Sequence, residues 1–591
     1  MSAPVPTLKL APRLPYLPGV DGLRAVAVSA VFLYHADVPW MPGGFLGVDV
    51  FLVISGFLIT SLLLAEWDAT GRVDVRRFWL RRARRLLPAV FVLLGVCLIV
   101  GALFFRHDLA RLRGDSLAAA AYVMNWHLVL GHQSYFEAFG RPPVLQHLWS
   151  LAVEEQFYLL WPLVFVAGLV LLGRRRLVIA VALTAVASTV LMAILFTPGA
   201  DPSRVFYGTD TRAIGLIVGV LLGFAWRPGQ LTRRTGAGAS LVLDAVGGLA
   251  LVAVVVSFWR VQSFDPSLYR GGFLLVSGAS AVVIAVLVHP AARLGRALGV
   301  EPLRWLGVRS YGIYLWHWPV LCVTRPHVDV PFGGPLLVAG EAALTVALAS
   351  ASYSWVEQPI RRGGALARLR ERLRAAQPRA RFGLAGAVAA VIAALVWTFA
   401  APAPAPAPAL ASVARTPAPG ALAAQRAAAA RAPAGRGPAL AIGDSVMLGA
   451  ADGLIHALGP RTSVDAAVSR QPTAIVDELR RLRASGGLPA RVVVQMGNNG
   501  PLVGNELGQL RDVLQGVDRV VLVTVRVPRR WQDEVNERVR AAIEGWQGAT
   551  LADWNAVSAR GGGAGLFRDG VHLTPRGVAL YSDTIKRALS A

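Results

Sequence analysis

The sequence predicts a multi-span α-helical membrane domain of about ten core helices plus one linking span, followed by an α/β three-layer domain on a parallel sheet. Three observations carry this expectation. Mean hydropathy is +0.52 over 591 residues and only 16% of them are charged, too little polar surface for a soluble chain of this size. Apolar runs long enough to cross about 30 Å of hydrocarbon recur as far as residue 400. From residue 438 onward, short apolar runs alternate with amphipathic stretches instead.

In chain order the spans fall near 20–36, 44–64, 88–105, 148–172, 177–197, 211–226, 241–259, 271–289, 303–323, 334–355 and 383–400, the sixth the weakest. The first lacks a small-residue cleavage site and reads as a retained span. Loops at 65–87, 173–176, 227–236, 290–302 and 360–382 carry 23 basic residues in all. Those facing the other way, at 37–43, 106–147, 198–208, 260–270 and 324–333, carry 8. Basic loops stay in the cytoplasm, so the N-terminus is expected inside and the region after the eleventh span outside. The high Ala, Arg and Gly content suggests a GC-rich bacterial genome, so the expected location is a bacterial plasma membrane.

The net charge of +24 follows the same division. Residues 1–437 hold 41 Lys and Arg against 20 Asp and Glu, a balance of +21, and residues 438–591 hold 18 against 15, a balance of +3. The excess therefore sets topology, and with no basic-aromatic module a nucleic-acid partner is excluded. Cys97 and Cys322 lie in apolar runs and read as buried thiols, with neither a disulfide framework nor a metal site.

These patterns divide the chain into a membrane domain (1–362), a basic loop with the eleventh span (363–400), a Pro/Ala-rich spacer (401–437) and an outer domain (438–591). In the last, PALAIGD, ARVVVQMG and RVVLVTV read as buried strands, and 472–484, 503–515, 533–545 and 575–589 as helices. Ser445 follows the first strand at a helix start, where a serine serves either as an N-cap or as a nucleophile. In FRDGVHLTPRG, Asp569 and His572 are three residues apart, close enough for a carboxylate to orient an imidazole. Between them, VVVQMGNNG presents Asn499 in a glycine turn, suited to donate to an oxyanion.

The blocks GDSV (443–446), GNNG (497–500) and DGVH (569–572) resemble the SGNH hydrolase family. The resemblance covers about 150 residues and implies Ser445 as nucleophile, His572 as base, Asp569 as its orienter and Asn499 as an oxyanion donor. The family's glycine block falls at VDAAVSRQ (464–471), with Ser469 in the matching place.

In the first span, Arg24 and His35 are eleven residues apart, almost three turns, hence on one face and about 16 Å apart along the axis. They are either interfacial residues or a functional pair. Glu154 and Glu155 open the fourth span on the expected outer side, either solvated there or placed to orient His35.

DGLRAVAVSAVFLYH (21–35), GGFLGVDVFLVISGFLIT (43–60), RRFWLRRARRLLPA (76–89), WSLAVEEQFYLLWP (149–162), SYGIYLWHWPV (310–320) and YSWVEQPIRR (353–362) resemble the membrane acyltransferase-3 family, in order over about 340 residues. That resemblance implies ten core spans and transfer of an acyl group, usually acetyl, from cytoplasmic acyl-coenzyme A to extracytoplasmic sugars. It implies that His35 is essential and that Arg24 and Glu154 or Glu155 assist. Members with an eleventh span and an outer SGNH domain acetylate peptidoglycan or surface polysaccharide. The expected partners are thus acetyl-CoA, membrane lipid and a glycan acceptor, the donor phosphates meeting Arg24, Arg81, Arg82 and Arg85. Two rival readings are a transporter with an accessory domain and an outer-domain esterase.

Overall fold

The computed structural model describes residues 15–362 and 438–591, except 132, 137–140, 198–200, 229–230, 232–236, 327–328, 469, 503–504, 528, 530, 561–564 and 569, together with 393 and 396–400. Most of the 363–400 segment, the 401–437 spacer, Ser469 and Asp569 lie outside the described residues.

Ten helices correspond to the first ten expected spans: α1 (Pro18–His35), α2 (Gly47–Thr70), α3 (Val75–Phe104), α4 (Leu148–Leu171), α5 (Gly173–Leu195), α6 (Ile214–Ala225), α7 (Ala237–Arg260), α8 (Phe273–Leu287), α9 (Ser310–Val323) and α10 (Pro335–Ser352). Among the described residues, seven segments are long and apolar enough to cross a membrane. The three helices outside that set are α1 with 18 residues, α6 with 12 and α9 with 14. α6, the span weakest in sequence, is preceded by the short helices Ser203–Tyr207 and Thr209–Arg212. The break places Arg212 inside the bundle, where its guanidinium donates to Asp49 at 3.0 Å and stands 4.0 Å from the Phe273 ring centroid. A charge in that environment is tolerable only with such a partner.

α6 packs against α2 at backbone distance. A Cβ on Gly56 would stand 2.0 Å from the Leu216 carbonyl oxygen, and one on Gly219 would stand 2.2 Å from that of Val53. Small residues allow this approach where no hydrophobic force draws helices together.

The C-terminal domain has five parallel strands, β1 (Ala439–Gly443), β2 (Thr462–Ala466), β3 (Arg491–Gln495), β4 (Arg519–Val523) and β5 (Ala549–Ala552), in the order β2-β1-β3-β4-β5. The sequence pattern finds β1, β3 and β4, the interior strands with continuous apolar runs. It misses the edge strands TSVDA and ATLA, whose mixed composition reflects their place. The helices α11 (Ser445–Gly449), α12 (Ala451–Leu458), α13 (Pro472–Ala484), α14 (Glu506–Val513), α15 (Gln532–Ala542) and α16 (Pro575–Ser590) complete the layers. From β1 the chain goes to one side for β2 and returns on the other for β3. The direction of winding thus reverses between β1 and β3, opening a crevice at their carboxyl ends.

Candidate active site

Ser445 lies one residue beyond Asp444 at the carboxyl end of β1, fully buried, as the first residue of α11. Its hydroxyl is 3.3 Å from His572 Nε2. The loop that carries His572 is closed by its own backbone: Arg568 N–H donates to the His572 carbonyl at 2.8 Å and Thr574 N–H to that of Leu566 at 2.9 Å. Thr574 then caps α16, its hydroxyl accepting from Gly577 N–H at 3.1 Å. Short-range bonds thus hold the imidazole against the serine.

Asn499 follows β3 at the same crevice. Its Nδ2 donates to the Arg470 carbonyl at 3.4 Å, and its Oδ1 is buried with no partner among the described residues. Gly497, two residues earlier, has φ +104°, a turn conformation that favours glycine.

A buried pair beneath the serine was not foreseen. Asp444 accepts from Val446 N–H at 3.1 Å and from Asn498 Nδ2 at 3.0 and 2.9 Å. Burial pushes the Asp444 carboxyl up to about 6, against the opposing pull of the Asn498 and Val446 hydrogen bonds. Its sequence signal was the GD before Ser445, and for Asn498 the first of two adjacent asparagines.

In the membrane domain, His35 ends α1. Its Nε2 is 2.9 Å from Tyr135 Oη and its Nδ1 is 3.0 Å from His317 Nε2. His317 Nδ1 lies 2.6 Å from the Tyr314 carbonyl oxygen, which can only accept, so Nδ1 carries the proton. For neutral rings the remaining tautomers follow: His35 Nδ1–H donates to His317 Nε2, and Tyr135 O–H donates to His35 Nε2. His147 stacks edge-on at 5.5 Å from His317 and approaches the Leu315 carbonyl at 3.1 Å. His317, Tyr135 and His147 escaped the sequence reading. The signal available for His317 was an imidazole within an otherwise apolar, aromatic span.

The expected orienting of His35 by Glu154 or Glu155 is not what the structure has, since both His35 nitrogens are occupied by other partners. Glu154 instead accepts from Ser55 and Tyr158. Six residues into α4, it lies about 9 Å deeper than the helix start, a depth that sequence spacing left unpaired. Glu155 Oε1 is buried with no partner among the described residues.

Glu154 lines a cavity with Arg24, Arg82, Arg85, Ser55 and Tyr158. Arg82 stands 4.9 Å from the Tyr158 ring centroid. Arg81, expected to join this group, does not line the cavity; its side chain is exposed and faces Glu66 at 3.9 Å. On α3 it falls one residue, about 100°, away from Arg82. Ser150 and Tyr314 line the same cavity, and their hydroxyls are 2.5 Å apart. The Tyr314 hydroxyl also donates to the His147 carbonyl at 2.8 Å. A column of polar groups therefore leads from the three arginines to the histidine cluster. Among the described residues, no group of His, Cys, Asp and Glu could hold a metal ion.

Residues 17–353 match the acyltransferase domain family. The peptidoglycan O-acetyltransferase OatA of Listeria monocytogenes is 34% identical over 96% of this chain and 97% of its own length. The O-acetyltransferase OatA of Staphylococcus aureus is 34% identical over 97% of this chain and 96% of its own length. The solved C-terminal catalytic domain of Streptococcus pneumoniae OatA, carrying a methylsulfonyl adduct, is 27% identical, covers 26% of this chain and 92% of that domain, and has a TM-score of 0.24. The chain belongs to the membrane acyltransferase-3 family, as an O-acetyltransferase with an SGNH-like domain after its membrane spans.

Proposed function

We propose that the chain moves an acetyl group from cytoplasmic acetyl-coenzyme A through its membrane domain to a hydroxyl of an extracytoplasmic glycan, with Ser445 carrying the group as an ester. The observation that carries this reading is Ser445 Oγ at 3.3 Å from His572 Nε2 in the same chain as an acyltransferase domain. One part delivers an acyl group and the other is built to accept it. Peptidoglycan is the proposed acceptor, supported by what the Listeria relative is named for.

The cytoplasmic end is assigned to Arg24, Arg82 and Arg85. Three guanidinium groups lining one cavity suit the phosphates of the donor, which would supply the activated thioester. The loop charge asymmetry, 23 basic residues against 8, supports the arginine end facing the cytoplasm and the His35 end facing out. At the outer end, His35 Nε2 presents its lone pair to Tyr135 O–H, while Nδ1–H is held by His317. When Tyr135 turns aside, Nε2 is the atom that meets the incoming group.

In the outer domain, Ser445 Oγ attacks the acyl carbonyl carbon and gives its proton to His572 Nε2, Asp569 orienting the ring. The uncommitted N–H of Asn499 donates to the oxyanion. Collapse expels the delivering group, which takes the proton back from His572. A sugar hydroxyl then attacks the Ser445 ester and yields its proton to His572, and Ser445 Oγ leaves with that proton.

Transfer of radiolabelled acetyl in inverted and right-side-out vesicles tests the relay. Wild type should show a transient label at Ser445, and His35→Ala none on protein. Delivery of label to glycan by Ser445→Ala at the wild-type rate would overturn the relay and leave the membrane domain to acylate its acceptor directly.

A further inference from the structure

A cavity of about 1190 Å³ lies between the two domains. Its membrane-domain wall includes Phe32 and Leu33, three and two residues before His35, and Val346 of α10. The opposite wall includes Phe567 and Gly570, on the loop that carries His572, and Arg526 beyond β4. The cavity thus adjoins the neighbourhoods of both reactive histidines.

Among the described residues, an ion pair spans the two sides. Arg529 Nη1 is 3.4 Å from Asp37 Oδ2, with side chains 20% and 28% exposed. Asp37 is two residues beyond His35 and has φ 52°, an uncommon conformation for a residue other than glycine. Its N–H donates to the Tyr34 carbonyl at 3.0 Å, and Val38 N–H donates to that of Leu33 at 3.0 Å, so the turn aims the carboxylate at the outer domain. On the other side, the Arg529 guanidinium stands 5.8 Å from the Trp531 ring centroid. Trp531 Nε1 donates to the Gly497 carbonyl at 3.0 Å, at the turn that presents Asn498 and Asn499. Contact therefore runs from the residue beside His35 to the crevice that holds Ser445.

From this we infer that Arg529 and Asp37 are a docking pair, seating the C-terminal domain over the end of α1 so that the acyl group passes between the two centres inside the shared cavity. The inference rests on the relay proposed above. Both are positioning residues, acting through domain placement.

The test uses the full chain in vesicles with two readouts: donor-dependent labelling of glycan, and hydrolysis of a small soluble acetyl ester at Ser445. Arg529→Asp should lower labelling roughly ten-fold, the partly exposed pair becoming a repulsion, and leave ester hydrolysis unchanged. Asp37→Arg should do the same, and the double charge swap should restore labelling to at least half of wild type. Asp37→Asn, a milder change, should show a partial loss if either reversal fails to fold. Unchanged labelling in the folded single variants, or no recovery in the swap, overturns the pair. Ser445→Ala separates the two ideas: if it keeps labelling, the relay fails; if it loses labelling while Arg529→Asp keeps it, only the docking pair fails.

Discussion

His572 and His35 each face a hydroxyl, at 3.3 Å from Ser445 and 2.9 Å from Tyr135, yet their surroundings follow opposite rules. Near His572 the C-terminal domain places a formal charge, the Asp444 carboxylate one residue before Ser445. The partners of His35 are a phenol and a second imidazole, itself held by a backbone carbonyl. The buried Asp444 carboxylate is held by two amides, whereas an unpaired ion in hydrocarbon is expensive. The difference teaches that the C-terminal site keeps a buried carboxylate beside its serine, while the membrane site is a run of neutral hydrogen bonds.

Removing one link of that run should have the largest effect. His317→Ala deprives His35 Nδ1–H of its acceptor and should lower acetyl transfer by about 100-fold while ester hydrolysis at Ser445 persists. His317→Gln, whose amide oxygen can still accept, should recover part of the loss. Wild-type transfer by His317→Ala would break the contrast between the two sites.

The counterpart in the C-terminal domain is electrostatic. Asn498→Ala leaves the buried Asp444 with Val446 N–H alone, and should destabilise this domain by about 1–3 kcal/mol, read as a lower unfolding midpoint. The sign of the pH dependence follows from burial. Because the folded carboxyl is raised from 3.8 to about 6, its contribution to stability is full below pH 3.8 and is lost as pH rises through 6. Wild type should therefore lose unfolding midpoint relative to Asp444→Asn between pH 4 and pH 7, and parallel curves would contradict the assignment.

The smallest effect concerns neighbouring arginines. Arg82→Ala should raise the donor KM several-fold, and Arg81→Ala should leave it within about two-fold, because only Arg82 lines the cavity with Glu154. Equal effects would return Arg81 to the site.

What could be read from sequence divides along the same line as the two sites. That Ser445 and His572 meet was legible because strand-end loops keep their residues within short blocks, and the sheet then brings those blocks together. β2 and β5 were not, since edge strands lack an apolar run. Asn498 was passed over for Asn499 because adjacent amides carry no direction in sequence. The histidine cluster joins residues 35, 147 and 317, and no spacing along the chain encodes which helices touch at which depth. Glu154 was paired with His35 for that reason, when a helix turn places it with the arginines instead.

The glycine contact between α2 and α6 has a mechanical consequence. With each Gly56 and Gly219 position already against the opposing backbone, these two helices behave as a single strut with no slack for sliding. Ser55 rides on that strut and fixes Glu154 from one side. Any shape change that admits a donor or releases a product must then be accommodated by less tightly welded helices, with α2 and α6 as the stationary frame against which they work.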